Sequence, residues 1–404
     1  MRDLLAPAHP TSGDDATARA TGVLTEQPDD CIGRYRLIEK IGDGGFGEVW
    51  RAEQNEPIRR EVALKVIKAG MDSAEIIARF EAERQALALM DHPNIAGVLD
   101  AGATESGRPY FVMELVKGVP ITEFADARKL TIRERLELFI PVCHAVQHAH
   151  QKAILHRDLK PSNILVSEVD GKPAPKVIDF GIAKALGGAK EDAQRTALAL
   201  TQTGAFIGTP RYMSPEQAGA KQDLDTRSDI YTLGVILFEL LTGDTPLSAH
   251  TLRSAALDEM LRMIRESEPP RPSSRVATGT EVVRKSAITR GTEPTKLTRT
   301  LRGDLDWITL RALEKDRERR YGSAAALAAD IVRHLHSEPV EAGPPSALYR
   351  FRKLVRRNRA VVTAAAGVMT ALAAGLGIAA WRFAEEAKAR RDADRSEALA
   401  QAER

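Results

Sequence analysis

Cysteine is nearly absent from this 404-residue chain, with only Cys31 and Cys143 present and far apart. They support neither a disulfide framework nor the close spacing of a metal-ligand set, which fits a reducing compartment. An excess of either charge is missing too, since 58 basic residues face 56 acidic ones. Bulk electrostatics therefore gives no reason to expect a nucleic-acid partner. Met1 to Asp15 holds prolines and acids but no apolar stretch, so no secretory signal is expected there. Long uncharged runs are lacking except at one place near the C-terminus. What the chain does have is length for one large domain or two, and 43% hydrophobic residues to build a substantial core.

Met1 to Asp30 is rich in Ala, Thr, Asp and Pro without periodicity, and reads as a disordered tail. Tyr35-Arg-Leu-Ile-Glu alternates as a strand does, and Glu48-Val-Trp-Arg-Ala, Glu61-Val-Ala-Leu-Lys-Val-Ile and Tyr110-Phe-Val-Met-Glu-Leu-Val read as further strands. Ser73 to Met90 has helical spacing that puts Phe80, Leu87 and Met90 on one face. Beyond these the pattern turns helical, over Thr131 to Gln151, Thr226 to Leu241, Leu305 to Leu313 and Ser323 to His336. The second of these is apolar on nearly every side, so it is expected to be buried. Strands followed by helices suggest an α+β protein of two lobes. Pro269 to Arg302 is polar, basic and rich in Pro and Thr, and reads as a long surface loop or a partly disordered, flexible insert.

Ala360 to Ala380 contains no charged residue. That length matches the roughly 20 residues a helix needs to cross a bilayer. Its Ala and Gly content also suits a buried globular helix. The flanks favour the membrane, because Arg350, Arg352, Lys353, Arg356, Arg357 and Arg359 precede the stretch and Trp381 ends it as an interfacial anchor. The larger basic excess comes before the span, which predicts that everything N-terminal to it is cytoplasmic. Residues 337–359 then form a basic juxtamembrane linker, and residues 381–404 a charged helical tail. Gly367, Ala371 and Gly375 recur at every fourth position, a spacing that lets two helices approach closely and make a homodimer, and one that an Ala/Gly-rich helix also shows by chance.

The chemistry-bearing motifs begin with Gly42-Asp43-Gly44-Gly45-Phe46-Gly47-Glu48-Val49, with Ile41 before it. Glycines let backbone amides close over phosphates where a Cβ would clash. Dinucleotide-binding folds use the same spacing, but there a helix follows, whereas here strands are expected on both sides. A Walker-type loop is excluded, since Glu48 stands where Lys is required. In Val62-Ala63-Leu64-Lys65, the lysine sits inside an apolar strand and either snorkels to the surface or meets a buried carboxylate. Glu83 lies on the apolar face of its helix and is the natural partner, because an unpaired buried charge is costly. Further along come His156-Arg157-Asp158-Leu159-Lys160-Pro161-Ser162-Asn163, then Asp179-Phe180-Gly181, then Gly208-Thr209-Pro210 and Ser214-Pro215-Glu216.

Together and in this order, these motifs resemble the eukaryotic-type serine/threonine protein kinase family. The resemblance covers about Tyr35 to His336. The run Thr201-Gln-Thr-Gly-Ala-Phe-Ile-Gly-Thr-Pro-Arg-Tyr-Met-Ser-Pro-Glu is similar to its bacterial, membrane-anchored branch. The resemblance implies a kinase fold, with a mostly β N-lobe over 35–116 and a helical C-lobe over 117–336. It also implies ATP and Mg²⁺ as cofactors and proteins as substrates. Lys65 would hold the α- and β-phosphates with Glu83 fixing its direction. Asp158 would take the substrate hydroxyl's proton, Lys160 would neutralise the γ-phosphate, and Asn163 and Asp179 would ligate the metal. Thr209 would bond to Asp158 and Lys160. Met113 would back the adenine pocket, and Glu114 to Val116 would bond adenine through the hinge backbone. Thr201 and Thr203 match the family's activation-loop phosphosites, where a phosphate would lie near Arg157; as plain sequence they are also ordinary loop threonines. Asp229 would hold the catalytic loop, although its spacing equally suits an N-cap. Arg320 would pair with Glu216, although it also fits a solvated charge run.

Two rivals are weighed on the same residues. A catalytically dead scaffold would have lost the strand lysine or one of the aspartates, and Lys65, Asp158, Asn163 and Asp179 are all present. A small-molecule kinase lacks the substrate-framing segment that Thr209 and Ser214-Pro215-Glu216 supply here.

Overall fold

A computed structural model describes residues 26–43, 47–68, 90–180, 210–219, 223–248, 251–252, 255–277, 286–344 and 346–402. The chain divides into a unit that ends at Ala329 and a second from Asp330 to Arg404. In the first, β1 (Cys31–Ile32), β2 (Tyr35–Asp43), β3 (Gly47–Gln54), β4 (Arg60–Ile67), β5 (Val98–Ala103) and β6 (Pro109–Glu114) form an antiparallel sheet of order β1-β2-β3-β4-β6-β5. Strand period 2 gives this sheet two different faces. Leu37, Trp50, Val62, Leu64, Val66 and Val112 pack with Tyr35 and Tyr110 into one apolar cluster. The register pairs Lys65 with both Val49 and Phe111, and Ala63 with Met113. These five side chains therefore share the opposite face. Lys65 is an inward group of the central strand, only 7% exposed, so it does not snorkel to the surface.

Gly47 opens β3 against the end of β4, and a Cβ there would lie 2.5 Å from the Val66 carbonyl oxygen. Only glycine lets the two backbones come this close. The chain on either side of the Gly-rich turn is strand, as expected, which separates it from a dinucleotide-binding turn.

The rest of the unit is mostly helical. A small sheet of β7 (Val119–Pro120), β8 (Ile164–Val169) and β9 (Lys172–Val177) lies among α1 (Ile121–Ala127), α2 (Ile132–Gln151), α3 (Pro215–Ala218) and α4 (Thr226–Thr242). Then follow α5 (Leu257–Glu266), α6 (Pro272–Ala277), α7 (Pro294–Leu301), α8 (Asp304–Ala312) and α9 (Ala324–Leu335). Thr131 starts α2 with a capping box to Glu134. Asp225 caps α4 by accepting from the Arg227 amide, and Gly243 ends it in the left-handed region at φ 84°. As its all-round apolar sequence requires, α4 is buried along nearly its whole length.

Three expectations change. The tail reaches less far than Asp30: Glu26 is bonded to Arg108, and the Asp29 amide donates to the Leu37 carbonyl at 2.8 Å. The Glu26–Arg108 pair is too distant in sequence to be seen from composition. Asp229 is not an N-cap, because Asp225 fills that role one turn earlier. The described part of Pro269 to Arg302 is not a surface loop. Pro272 and Pro294 stand where helices begin, a position that needs no amide hydrogen. Val276, Ala287, Leu297 and Leu301 are buried, and Ser273 donates through its amide and hydroxyl to Asp306 at 2.9 and 2.7 Å. Arg290, 1% exposed, donates to the carbonyls of Glu239, Leu240 and Leu241 at 3.0, 2.8 and 2.7 Å. A cation at the carbonyl end of α4 completes its last turn and meets its dipole.

In the second unit, the buried Asp330 carboxylate accepts from the amides of Glu341 and Ala342 at 2.7 and 2.9 Å. α10 (Ala347–Arg357) and α11 (Arg359–Ala402) follow, separated by Asn358. α11 runs without a break through both the stretch expected as a span and the stretch expected as a separate tail. It is the one helix among the described residues long and apolar enough to cross a membrane, and its apolar part is unburied.

Arg290→Ala would take the side-chain donor from the Leu241 carbonyl, while the Glu239 carbonyl keeps the Gly243 amide and the Leu240 carbonyl keeps Arg135. The expected loss is about 1–3 kcal/mol, the cost of one orphaned buried acceptor. A denaturant midpoint close to wild type would show that solvent replaces the guanidinium.

Candidate active site

The site lies where the Lys65 face of the sheet meets the loop His156–Asn163 and the exit of β9. A lysine this buried needs an anion. Lys65 Nζ donates to Asp179 Oδ1, joining β4 to the Asp179-Phe180 segment. Asp179 is at φ 59° and Arg157 at φ 61°. Each left-handed non-glycine residue costs on the order of 1–3 kcal/mol and persists only when its surroundings over-determine it.

The surroundings here are specific. The Asp229 carboxylate, on the first turn of α4, accepts from the His156 amide at 2.8 Å and the Arg157 amide at 2.9 Å. His150 Nε2, from the end of α2, meets the same carboxylate at 2.8 Å. Burial pushes the Asp229 carboxyl up, but the bond and charge of His150, together with His156, outweigh it and hold the group below the usual carboxylate range. Burial pulls the His156 imidazole down, so it is neutral at physiological pH. Its ring then has one assignment: Nε2–H donates to the Ile178 carbonyl at 3.1 Å, and Nδ1 accepts from the Asp158 amide at 3.4 Å. The ring also packs on Phe180, with centroids 4.7 Å apart. One histidine thus ties the loop carrying Asp158 to the segment carrying Asp179.

Asp158 Oδ2 accepts from Lys160 Nζ at 2.8 Å. Asn163 Nδ2 donates to the Asp158 carbonyl at 2.8 Å, which turns its amide oxygen away from that contact. The Ile178 amide donates to the Asn163 carbonyl at 2.9 Å, so the two oxygen-bearing side chains Asn163 and Asp179 are held on bonded neighbours. Among the described residues no cluster of three or more His, Cys, Asp or Glu gathers by itself. A hard cation that keeps most of its shell from phosphates and water needs only one or two such oxygens.

Of the remaining predicted residues, Met113 and Ala63 are buried side by side on the Lys65 face. Ile41, Gly42 and Val49 line the β2–β3 arms; Asp43 and Glu48 are both bonded to Lys40 at 2.7 Å. Hydrogen bonds from Lys40 and then Lys68 hold the Asp43 carboxyl low. The Glu114 amide donates to the Gly97 carbonyl at 2.9 Å, and the Val116 carbonyl accepts from Gly118 at 3.1 Å. Gly44, Gly45, Phe46, Glu83, Thr201, Thr203 and Thr209 lie outside the described residues. The cation expected opposite Glu83 is here bonded to Asp179.

Three residues escaped the sequence reading. His150 orients Asp229 from another helix. Gln217 caps α3 and also donates to the Arg157 carbonyl at 2.9 Å. The Ser214-x-x-Gln217 capping-box spacing was a readable signal for the first role and gave none for the second. Lys176 bonds both oxygens of Glu114 at 2.7 Å, pinning the hinge to β9.

Arg320 is not part of a solvated charge run. Fully buried, it makes a two-pronged pair with Glu216 at 2.7 and 2.9 Å.

The arrangement has the parts of a phosphotransferase, and comparisons with known proteins agree. The protein kinase domain family matches residues 35–334. The chain belongs to the protein kinase domain family. It is 36% identical over 320 residues to the serine/threonine-protein kinase PknB of Mycobacterium tuberculosis, covering 78% of this chain and 45% of that protein. It is 41% identical over 226 residues to a probable serine/threonine-protein kinase PknB of Lactococcus lactis, covering 55% and 34%. It thus spans less than half the length of these curated relatives. The crystal structure of the M. tuberculosis PknI kinase domain superposes with a TM-score of 0.53 at 24% identity, over 77% of this chain and 99% of that one, a likeness of fold.

Burial pushes the Glu216 carboxyl up, but bonds from Arg320 and Ser228 overcome this and leave it below the usual carboxylate range. Its stabilisation is complete above the unfolded carboxylate value, near pH 4.3, and disappears as pH falls through the lower folded value. Arg320→Ala is expected to cost about 3–5 kcal/mol, the cost of an uncompensated buried charge. It should also flatten the acid limb of stability measured by urea unfolding. An unchanged acid limb would show that another group sets it.

Proposed function

We propose that this chain is a serine/threonine protein kinase that moves the γ-phosphoryl group of ATP to Ser or Thr hydroxyls of protein substrates. The observation that carries the proposal is the convergence of Lys65, Asp158, Lys160, Asn163 and Asp179 through Asp229 and His156. Phosphoryl transfer asks the protein for position and charge rather than covalent chemistry. Lys65, freed to share Asp179 with the nucleotide, takes the α- and β-phosphates, with Glu83 as its second partner. The adenine lies between the sheet and the hinge, against Ala63 and Met113, with backbone bonds from Glu114 to Val116. The glycine arms from Ile41 to Val49, Gly44, Gly45 and Phe46 among them, cover the phosphates.

Asp179 and Asn163 supply hard oxygens suited to Mg²⁺. Bound with ATP, this cation neutralises charge on the phosphate oxygens. Asp158 accepts the hydroxyl proton as that oxygen bonds to the γ-phosphorus and the bond to the ADP oxygen breaks. Lys160, already at the Asp158 carboxylate, faces the developing charge. Thr209 orients the hydroxyl with Asp158 and Lys160. The Lys at position 160 marks the serine/threonine form of this loop. Nucleic acid has no part in this reading.

Asp158→Asn is expected to retain nucleotide binding and to lower transfer to a peptide array by at least about 100-fold, the scale of a lost general base. Asp179→Asn is expected to abolish transfer and weaken the magnesium dependence of nucleotide binding. Near-normal turnover by Asp158→Asn would remove the carboxylate from its role.

We further propose that α11 crosses a membrane once, with the kinase domain in the cytoplasm, where ATP and magnesium are. The unburied apolar stretch and the basic residues before it support this. Pairing of two spans through Gly367, Ala371 and Gly375, at each of whose two glycines a Cβ would meet nothing, would bring two kinase domains together. Each could then phosphorylate the other at Thr201 and Thr203. Gly367→Leu with Gly375→Leu is expected to lower phosphate at these threonines several-fold by mass spectrometry while insertion is kept. Unchanged phosphate would leave the span as an anchor only.

A further inference from the structure

The eleven-residue helix α10, Ala-Leu-Tyr-Arg-Phe-Arg-Lys-Leu-Val-Arg-Arg, contains five basic residues and no acid. Leu348, Phe351 and Leu354 recur at every third position and share one face. They are 74%, 61% and 47% exposed, unusual for large apolar side chains. The other side is occupied. Tyr349 accepts from the Val340 amide at 3.1 Å, and Arg357 meets Glu338 at 3.3 Å. Residues 338–340, which the Asp330 bonds to Glu341 and Ala342 hold in place, therefore take one face of the helix and leave the apolar one bare.

What covers that face is indicated by the next residues. Asn358 leaves the helical region, at φ −113° and ψ 43°, and α11 begins at Arg359. The break lets α10 depart from the line of α11. On the reading that α11 spans a membrane, the bare face ends at Leu354, six residues before the uncharged stretch that begins at Ala360 and so under two turns from it. The bilayer is then the apolar phase next to it. A helix with an apolar stripe, a basic remainder and no acids has the chemistry of one lying in the interface of an acidic bilayer.

We propose that α10 lies flat on the cytoplasmic membrane surface. Leu348, Phe351 and Leu354 enter the boundary between headgroups and acyl chains, and the Arg and Lys side chains meet acidic headgroups. The segment just before the span is then held on the membrane surface and does not hang free in water. This inference rests on the membrane reading, and its test separates the two.

The intact chain, with the exposed Cys31 replaced by Ser and the buried Cys143 left in place, is labelled with an environment-sensitive dye at one new cysteine. The three sites are Phe351→Cys, Lys353→Cys and Leu372→Cys. Each protein is reconstituted into phosphatidylcholine vesicles with or without phosphatidylglycerol, and lipid-borne quenchers are added. In acidic vesicles the dye at 351 is expected to lose roughly half or more of its emission, as for a group about 5–10 Å into the interface, and the dye at 353 far less. Quenching at 351 is expected to weaken in vesicles without acidic lipid. If 372 is quenched and 351 is not, the span stands and the interfacial placement of α10 is wrong. If 372 is not quenched either, the membrane reading itself fails. If 351 is shielded from aqueous iodide yet beyond the reach of lipid quenchers, a protein covers the face and the proposal is overturned. Equal quenching at 351 in both lipids would overturn the assignment to acidic headgroups.

Discussion

A single buried carboxylate organises the catalytic half of this molecule. Asp229 sits on the first turn of a helix that is apolar on nearly every side, where an ionised group would be very costly without partners. Its partners are two backbone amides of the loop carrying Asp158 and one imidazole of α2. Arg157 meets it in a left-handed conformation. The hydrogen bonds to the carboxylate offset the cost of burying its charge and hold the strained backbone in place. The same loop then presents His156 to Ile178 and Phe180, and so sets where Asp179 stands. On the proposed function, position in phosphoryl transfer is inherited from the core through this carboxylate.

The second support is farther out. Glu216 and Arg320 close a buried pair beneath α3, whose Gln217 reaches back to the Arg157 carbonyl. Arg290 closes the carbonyl end of the helix whose first turn carries Asp229. The amide end of α4 is therefore finished by its own Asp225 cap and the carbonyl end by a side chain from another segment. This suits a helix that serves as the scaffold for the reacting groups.

Much of this was legible in the sequence. The facing of Lys65 follows from strand alternation. The order of the Gly-rich, His-Arg-Asp, Asp-Phe-Gly and Ser-Pro-Glu motifs reflects chemistry that tolerates few other residue types. The burial of α4 follows from its composition. The rest depends on partners distant in the chain. Arg290 reads as one more basic residue in a polar insert until the carbonyl end of α4 is placed beside it. Glu26 looks like tail until Arg108 meets it. Arg320 looks solvated until Glu216 is known to be buried. Asp229 suits a cap by spacing until Asp225 is seen to fill that role and the loop amides to meet Asp229. Of α10 only the basic residues were read from the sequence, as a linker before the span. The break at Asn358 and the occupied polar face came with the structure.

The account's central claim is that these groups together transfer the terminal phosphate of ATP to aliphatic hydroxyls. The direct measurement is phosphoamino-acid analysis of a protein substrate mixture incubated with the intact chain, magnesium and ATP radiolabelled on its γ-phosphate. The account predicts label in phosphoserine and phosphothreonine that depends on magnesium. Absence of protein-bound label, or label confined to phosphotyrosine, would contradict it.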